Sequence, residues 1–151
     1  MLAAAYSTAA MAQLPVSRVL TLDIAQSIAR ETLNQCRSNG YKVAVLVVDS
    51  LNAPKAMLRD DGTSPSTAEA AKMKATSAML YNRPSGPPQQ PPPGTTAPPA
   101  TIPGTINSLG GVPIKFGDVT IGAVGVSGAP GGDKDAACAN AALAKLADRL
   151  K

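Results

Sequence analysis

Apolar positions recur at three- and four-residue steps from Ala25 through Ile28, Ala29 and Leu33 to Cys36, the stripe of an amphipathic helix. Thr21 can cap it, Asp23 suits its positive end and Gly40 is a natural stop, so the spacing predicts a first helix over Leu20–Asn39. The period then changes. Val43-Ala44-Val45-Leu46-Val47-Val48 is apolar throughout and rich in β-branched residues, which reads as a strand over Lys42–Asp49 covered on both faces. A turn at Ser50–Pro54 leads into a shorter strand, Lys55–Arg59, and the two form a hairpin. After the loop Asp60–Pro65, Ser66-Thr67-Ala68-Glu69 fits a capping box and opens a helix that runs to about Tyr81, with Ala71, Ala75, Ala78 and Met79 as a small-residue face. Pro84 ends it. Gly110–Phe116 and Val119–Val126 flank Gly117-Asp118, a two-residue hairpin loop of the II′ kind. The last helix is expected from Asp133 to Leu150, with the stripe Ala136, Ala139, Leu143, Leu146, Ala147 and Leu150. Asp133 and Asp135 favour its N-terminus, Lys145 and Arg149 its C-terminus.

The order is α-β-β-α-loop-β-β-α. Two hairpins make one antiparallel sheet of four or five strands with helices packed against it, a single α+β domain. A chain of 151 residues is long enough for a real core. The segment 84–114 carries no charge, and Pro84–Pro103 holds nine of the 14 prolines. Residues 84–109 therefore read as a polyproline-like loop, with a PxxP ligand or a subunit-bridging arm as the functional alternatives.

Composition narrows the chemistry. There is no His and no Trp, and the aromatic residues are Tyr6, Tyr41, Tyr81 and Phe116. That excludes a histidine triad, a His-ligated metal and a proximal-His haem. The net charge of +4 comes from scattered residues, so no nucleic acid is expected as a partner. No run of 18 apolar residues predicts a membrane span. Residues 1–12 are small or apolar and uncharged, and Ala10-Met11-Ala12 has the form of a signal-peptidase site. They read as a leader, with a mature domain over 13–151 in the periplasm or outside the cell. Cys36 and Cys138 then fit either one disulfide joining the first and last helices or two unpaired thiols in helix packing; geometry decides.

Among candidate groups, Asp60-Asp61 is the one adjacent carboxylate pair. It reads as a solvated loop rather than a cation or acid/base site, because adjacent loop carboxylates rarely acquire the separate environments such chemistry needs. Gly122 and Gly125 lack the spacing of a phosphate loop and read as places where another backbone approaches the strand. Arg59, Arg83 and Lys115 are the cations of interest. Arg59 and Arg83 flank the second helix and either converge on a carboxylate ligand or pair with Asp60, Asp61 or Glu69, the latter being the expected outcome. Without a nearby base, Ser64, Ser66 and Ser127 are not nucleophiles. An enzyme would have to draw on Asp60, Asp61, Lys74 or Tyr81, and a buried Lys74 or Asp61 beside Arg83 would favour it.

Four blocks resemble the HbpS-like family, which includes the GlcG protein of glycolate operons. They are Leu20-Thr21-Leu22-Asp23; Val43–Asp49; Leu58-Arg59-Asp60-Asp61-Gly62, leading through the second helix to Asn82-Arg83-Pro84; and Gly110-Gly111-Val112-Pro113-Ile114 followed by Gly122-Ala123-Val124-Gly125-Val126-Ser127-Gly128. The resemblance implies a small α+β domain that assembles with itself, from dimer to octamer, and binds a small molecule. It offers haem as a cofactor, although Ser66 stands where a related branch carries a histidine. Other axial candidates are Tyr81 and Met79 first, then Tyr41, Met57, Met73 and the two cysteines; the methionines read mainly as core fillers. A pocket is expected between the Asp61–Ser66 loop, the second helix and Gly110–Ile114, using Arg59, Asp61, Ser66, Arg83, Gly111 and Pro113. No catalytic residue and no metal site is expected. The reading is an exported, oligomeric, small-ligand-binding or accessory protein. The alternatives are an enzyme acting on a small organic acid and a structural partner of a sensor or receptor.

Overall fold

A computed structural model describes residues 17–87 and 102–151. The elements run α1 (Leu22–Ser38), β1 (Ala44–Asp49), β2 (Pro54–Arg59), α2 (Pro65–Tyr81), β3 (Gly111–Phe116), β4 (Val119–Ser127), α3 (Gly132–Lys145) and a 3-10 turn at Ala147–Leu150. The expected leader, residues 1–12, and residues 88–101 of the proline-rich loop lie outside the described residues. The fold is α+β with the order α-β-β-α-β-β-α, as the periodicity predicts.

The two hairpins join through their first and last strands. The sheet order is β2-β1-β4-β3, antiparallel throughout. Val45 faces Val126 and Val47 faces Val124 across the central pair. Gly117 takes φ +56° while Asp118 stays at negative φ, the sign pattern of a II′ turn. Because side chains alternate along a strand, the sheet buries two different faces. Val43, Val45, Val47, Ile114, Val124 and Val126 meet Ile28 and Leu33 of α1 and Ala139 of α3. Ala44, Leu46, Val48 and Ala123 meet Ala68, Ala71, Ala75 and Ala78 of α2. Cys36 of α1 and Cys138 of α3 are disulfide-bonded, with Cα atoms 5.3 Å apart. The bond ties together the two helices that share the first face.

Gly125 explains how α2 reaches the sheet. A Cβ at that position would lie 1.9 Å from the Ala71 carbonyl oxygen, and one at Gly111 would lie 2.0 Å from that of Lys74. Only bare backbone lets the helix settle this close. Gly122 likewise leaves room for the Val48 carbonyl.

Three local expectations are corrected. First, α2 begins at Pro65, so Ser66-x-x-Glu69 does not form the capping box. Proline at the first helical position needs no N–H partner and presets φ, and Ser64 takes the cap position. Ser66 Oγ contacts Ser64 Oγ instead of a backbone amide. Second, the last helix stops short of Leu150. Leu146 leaves helical geometry at φ −99°, ψ 9°, and the following turn brings Arg149 onto Ser27 at 2.9 Å and Asp23 at 2.5 Å. Ala147 is exposed rather than part of the stripe. Third, Asp60 is not solvated. It is 6% exposed and accepts two hydrogen bonds from Arg37, both 2.9 Å. The partner comes from the end of α1, which the topology lays beside the end of β2; the expected pairing with Arg59 is replaced by a bond from Arg59 to the Thr63 carbonyl. No helix among the described residues is long and apolar enough to cross a membrane.

Candidate functional site

The residues singled out in the sequence fall at two ends of α2. Arg59, Asp61 and Ser66 are exposed around its N-terminus. Tyr81 and Arg83 lie at its C-terminus. Ser66 and Tyr81 are fifteen residues apart, about 22 Å of helix, so one small ligand on one chain cannot touch both groups. Gly111 is buried with the Lys74 carbonyl against it. Pro113 is half-buried on edge strand β3. By strand alternation it lies on the α2 side of the sheet with Gly111. Met79 packs against the alanine-lined cluster beneath α2.

The C-terminal end of α2 is the better-built site. Asn82 closes the helix in the left-handed region at φ 50°, and its side chain bonds Thr120 of β4. This fixes the direction in which Arg83 leaves the helix. The Arg83 guanidinium lies over the Tyr81 ring, 5.4 Å from its centroid, a cation–π distance. It donates to the carbonyls of Pro84 at 3.1 Å and Gly86 at 3.2 Å. Among the described residues no carboxylate pairs with it. The expected partners Asp60, Asp61 and Glu69 belong to the other end of the helix. Lys115 stands opposite Thr120 in the β3–β4 register, so a second, exposed cation marks the same end. The Tyr81 hydroxyl accepts the Ile102 amide at 3.4 Å. A hydrogen bond from Thr105, then that of Ile102, holds the phenol below its ordinary pKa.

Sequence reasoning singled out Lys74 but missed its partner Asp135. Lys74 and Asp135 form an ion pair at 2.8 Å with side chains 6% and 3% exposed. Asp135 also accepts the Ala129 amide at 3.0 Å. Burial, ahead of every opposing hydrogen bond, raises the Asp135 carboxyl above its ordinary value. The usable signal was Lys74 itself, one position from the alanine stripe of α2; nothing local distinguishes Asp135 from Asp133. A separate open groove of about 310 Å³ lies between α1 and the C-terminal turn, lined by Asp23, Gln26, Ser27, Arg30, Glu31 and Arg149. Its carboxylates Asp23 and Glu31 are already paired, with Arg149 and Lys145.

A haem iron would have to take its axial donor from these residues. The chain has no histidine. Met79 packs against the alanine cluster, and the Tyr81 hydroxyl already accepts the Ile102 amide. These groups do not fit a ligated haem iron. Among the described residues no cluster of three or more potential metal-ligating side chains is present. Arg83 and Lys115 do fit a carboxylate.

Comparisons agree with this architecture. Residues 20–144 match the model of the family described as haem degrading protein HbpS-like. The crystal structure of a double mutant of HbpS from Streptomyces reticuli is 30% identical, covers 95% of this chain and 98% of that one, and superposes with TM-score 0.75. The Klebsiella pneumoniae protein ORFY is 24% identical over 92% of this chain and 98% of that one, with TM-score 0.72. A PduOC–haem complex shares the fold at 18% identity and TM-score 0.67, covering 84% and 94%. No curated protein matches the chain.

Proposed function

The chain belongs to the HbpS-like family, which includes haem-binding members, and from that premise we propose that it is an exported, self-associating protein that binds a small carboxylate-bearing ligand. The observation that carries the reading is Arg83, a guanidinium stacked on Tyr81, held by carbonyls alone and left without a carboxylate among the described residues. An organic acid or the propionates of a tetrapyrrole suit it equally, since both present a planar carboxylate to a planar donor fork. A tetrapyrrole would bind by its periphery, not by its iron. The buried disulfide supports export, because such bonds persist in oxidising compartments.

Haemin and its dimethyl ester, in which both propionates are blocked, provide the test. Haemin is expected to shift its strong near-ultraviolet band on titration with the protein, and the shift should be lost with the ester and in Arg83→Gln. Haemin binding that survives both changes overturns the reading, as does a protein that binds neither haemin nor a panel of small organic acids. The burial of Lys74 is the one observation that favours the enzyme alternative, and it leads to a more specific idea.

A further inference from the structure

Lys74, Ser77 and Tyr81 follow one another at steps of three and four residues, so they share one side of α2. Each is engaged by a group outside the helix. Lys74 Nζ donates to Asp135 Oδ2 at 2.8 Å. Ser77 Oγ accepts the Ile106 amide at 2.8 Å, and the Tyr81 hydroxyl accepts that of Ile102 at 3.4 Å. The segment from Ile102 to Gly110 therefore lies along this side of the helix as a strap. Ser85 fastens its far end, donating to the Ser108 carbonyl and accepting the Gly111 amide, both at 2.7 Å. Gly110 crosses at the ion pair itself: a Cβ there would lie 2.9 Å from Lys74 Cδ and 3.0 Å from Asp135 Cβ.

The polar groups along and beneath the strap are buried, while its apolar residues Ile102 and Leu109 stay partly exposed. Lys74, Ser77, Ser85, Thr105 and Asp135 are all 5% exposed or less, whereas Ile102 and Leu109 are 38% and 39% exposed. The strap is fastened by the hydroxyls of Ser77, Tyr81 and Ser85 and, at Gly110, by the Val126 amide; with few apolar side chains beneath it, opening between Ile102 and Leu109 is favoured over global unfolding. Opening would uncover an ammonium, a hydroxyl and a phenol in a row. In the closed state Asp135 already stands at the ammonium as an internal carboxylate.

We propose that Lys74 is the recognition group of a covered site for a small carboxylate, which enters beneath the Ile102–Gly110 strap, replaces Asp135 at the ammonium, and is taken up together with one proton that neutralises Asp135. The inference rests on the carboxylate class argued for Arg83 but uses a different cation. The charges balance: an ammonium paired with Asp135 becomes an ammonium paired with the ligand, beside a neutral carboxylic acid. The groups facing Asp135 are Lys74 from α2, the Ala129 amide from the β4–α3 connection and Asp133 from its own helix; the strap presents only Gly110. Burial favours the neutral acid there, and Asp133 adds to it.

The test uses the full chain, with acetate as probe and acetamide as its uncharged control, followed by calorimetry from about pH 8 to about pH 6. One proton taken up per ligand predicts acetate affinity rising by up to about tenfold per pH unit, with no acetamide binding. Asp135→Asn should bind acetate without that pH dependence, and Lys74→Met should not bind it. Ser77→Ala leaves the ion pair intact; it should speed hydrogen exchange of the Ile106 amide and strengthen acetate binding, which keeps the idea testable if Asp135→Asn fails to fold. Acetate affinity unchanged by pH, by Lys74→Met or by Ser77→Ala overturns the proposal. Loss of acetate binding in Arg83→Gln but not in Lys74→Met would leave the surface site standing and remove the covered one; the converse would do the reverse.

Discussion

On the α1 and α3 side of the sheet, Val43, Val45, Val47, Ile114, Val124 and Val126 meet Ile28 and Leu33, and a disulfide crosses between the helices. On the α2 side, Ala44, Leu46, Val48, Ala123 and Gly125 meet Ala68, Ala71, Ala75 and Ala78. The first side gains its stability from large buried apolar surface. The second has little such surface, and depends on close approach and on buried polar pairs. A layer of large side chains gives a little, since neighbours relax part-way into the space a truncation leaves. A backbone-to-backbone seat does not, because neither partner can move without shifting its whole element. The same closeness shuts water out, which is why Lys74 and Asp135 are obliged to pair.

The comparison is broken most severely at its tightest point. Gly125→Val places a side chain against the Ala71 backbone and is expected to cost more than about 4 kcal/mol; circular dichroism and solubility should show no folded protein. On the opposite face, replacing Cys36 and Cys138 together by Ser releases a link between residues 102 positions apart. The chain-entropy model puts that at about 4–5 kcal/mol, read as a fall in denaturant midpoint matched by wild type under reducing conditions. Lys74→Met strands a buried carboxylate and is expected to cost about 3–5 kcal/mol. A Lys74→Met, Asp135→Leu double variant should recover much of it, and failure to recover would show that the pair does more than neutralise charge. Thr32 sharpens the contrast from the apolar side: its Oγ1 is buried with no hydrogen-bond partner, so Thr32→Val should stabilise by about 1 kcal/mol in thermal melts.

The smallest effect separates the two buried carboxylates by pH. The Arg37 hydrogen bonds hold the Asp60 carboxyl below its ordinary value, so its contribution is present above that value and lost as pH falls through the lowered one. Burial holds the Asp135 carboxyl above its ordinary value. Its contribution is present below the ordinary value and lost as pH rises through the raised one. Arg37→Gln should therefore be less stable than wild type at neutral pH and converge with it in acid. Urea titrations at several pH values would show parallel curves instead if Arg37 acts only through packing.

Element order, sheet class and helix faces were legible because they follow from short-range periodicity. The alanine face of α2 and the close approach at Gly122 and Gly125 could be read from residue size alone. Helix ends were less legible: Pro65 outranked the capping-box pattern that begins one residue on, and the stripe through Leu150 gave no sign of the break at Leu146. The candidate site was half visible. Arg83 and Tyr81 drew attention as chemistry-bearing residues, but whether they shared a pocket with Arg59, Asp61 and Ser66 depended on the length of α2.

The sequence by itself determined the α+β order, the two hairpins, the family blocks and the absence of any histidine ligand. These are properties of composition and of contacts a few residues apart. Only the tertiary structure decided that Arg37 takes Asp60, that Lys74 takes Asp135 sixty-one positions away, and that Ser77 and Ser85 pin the strap. Charged and hydroxyl side chains can pair with many partners of equal chemistry. Which of them meet is set by the distance between elements once the sheet has assembled, and burial then decides which of those meetings matter.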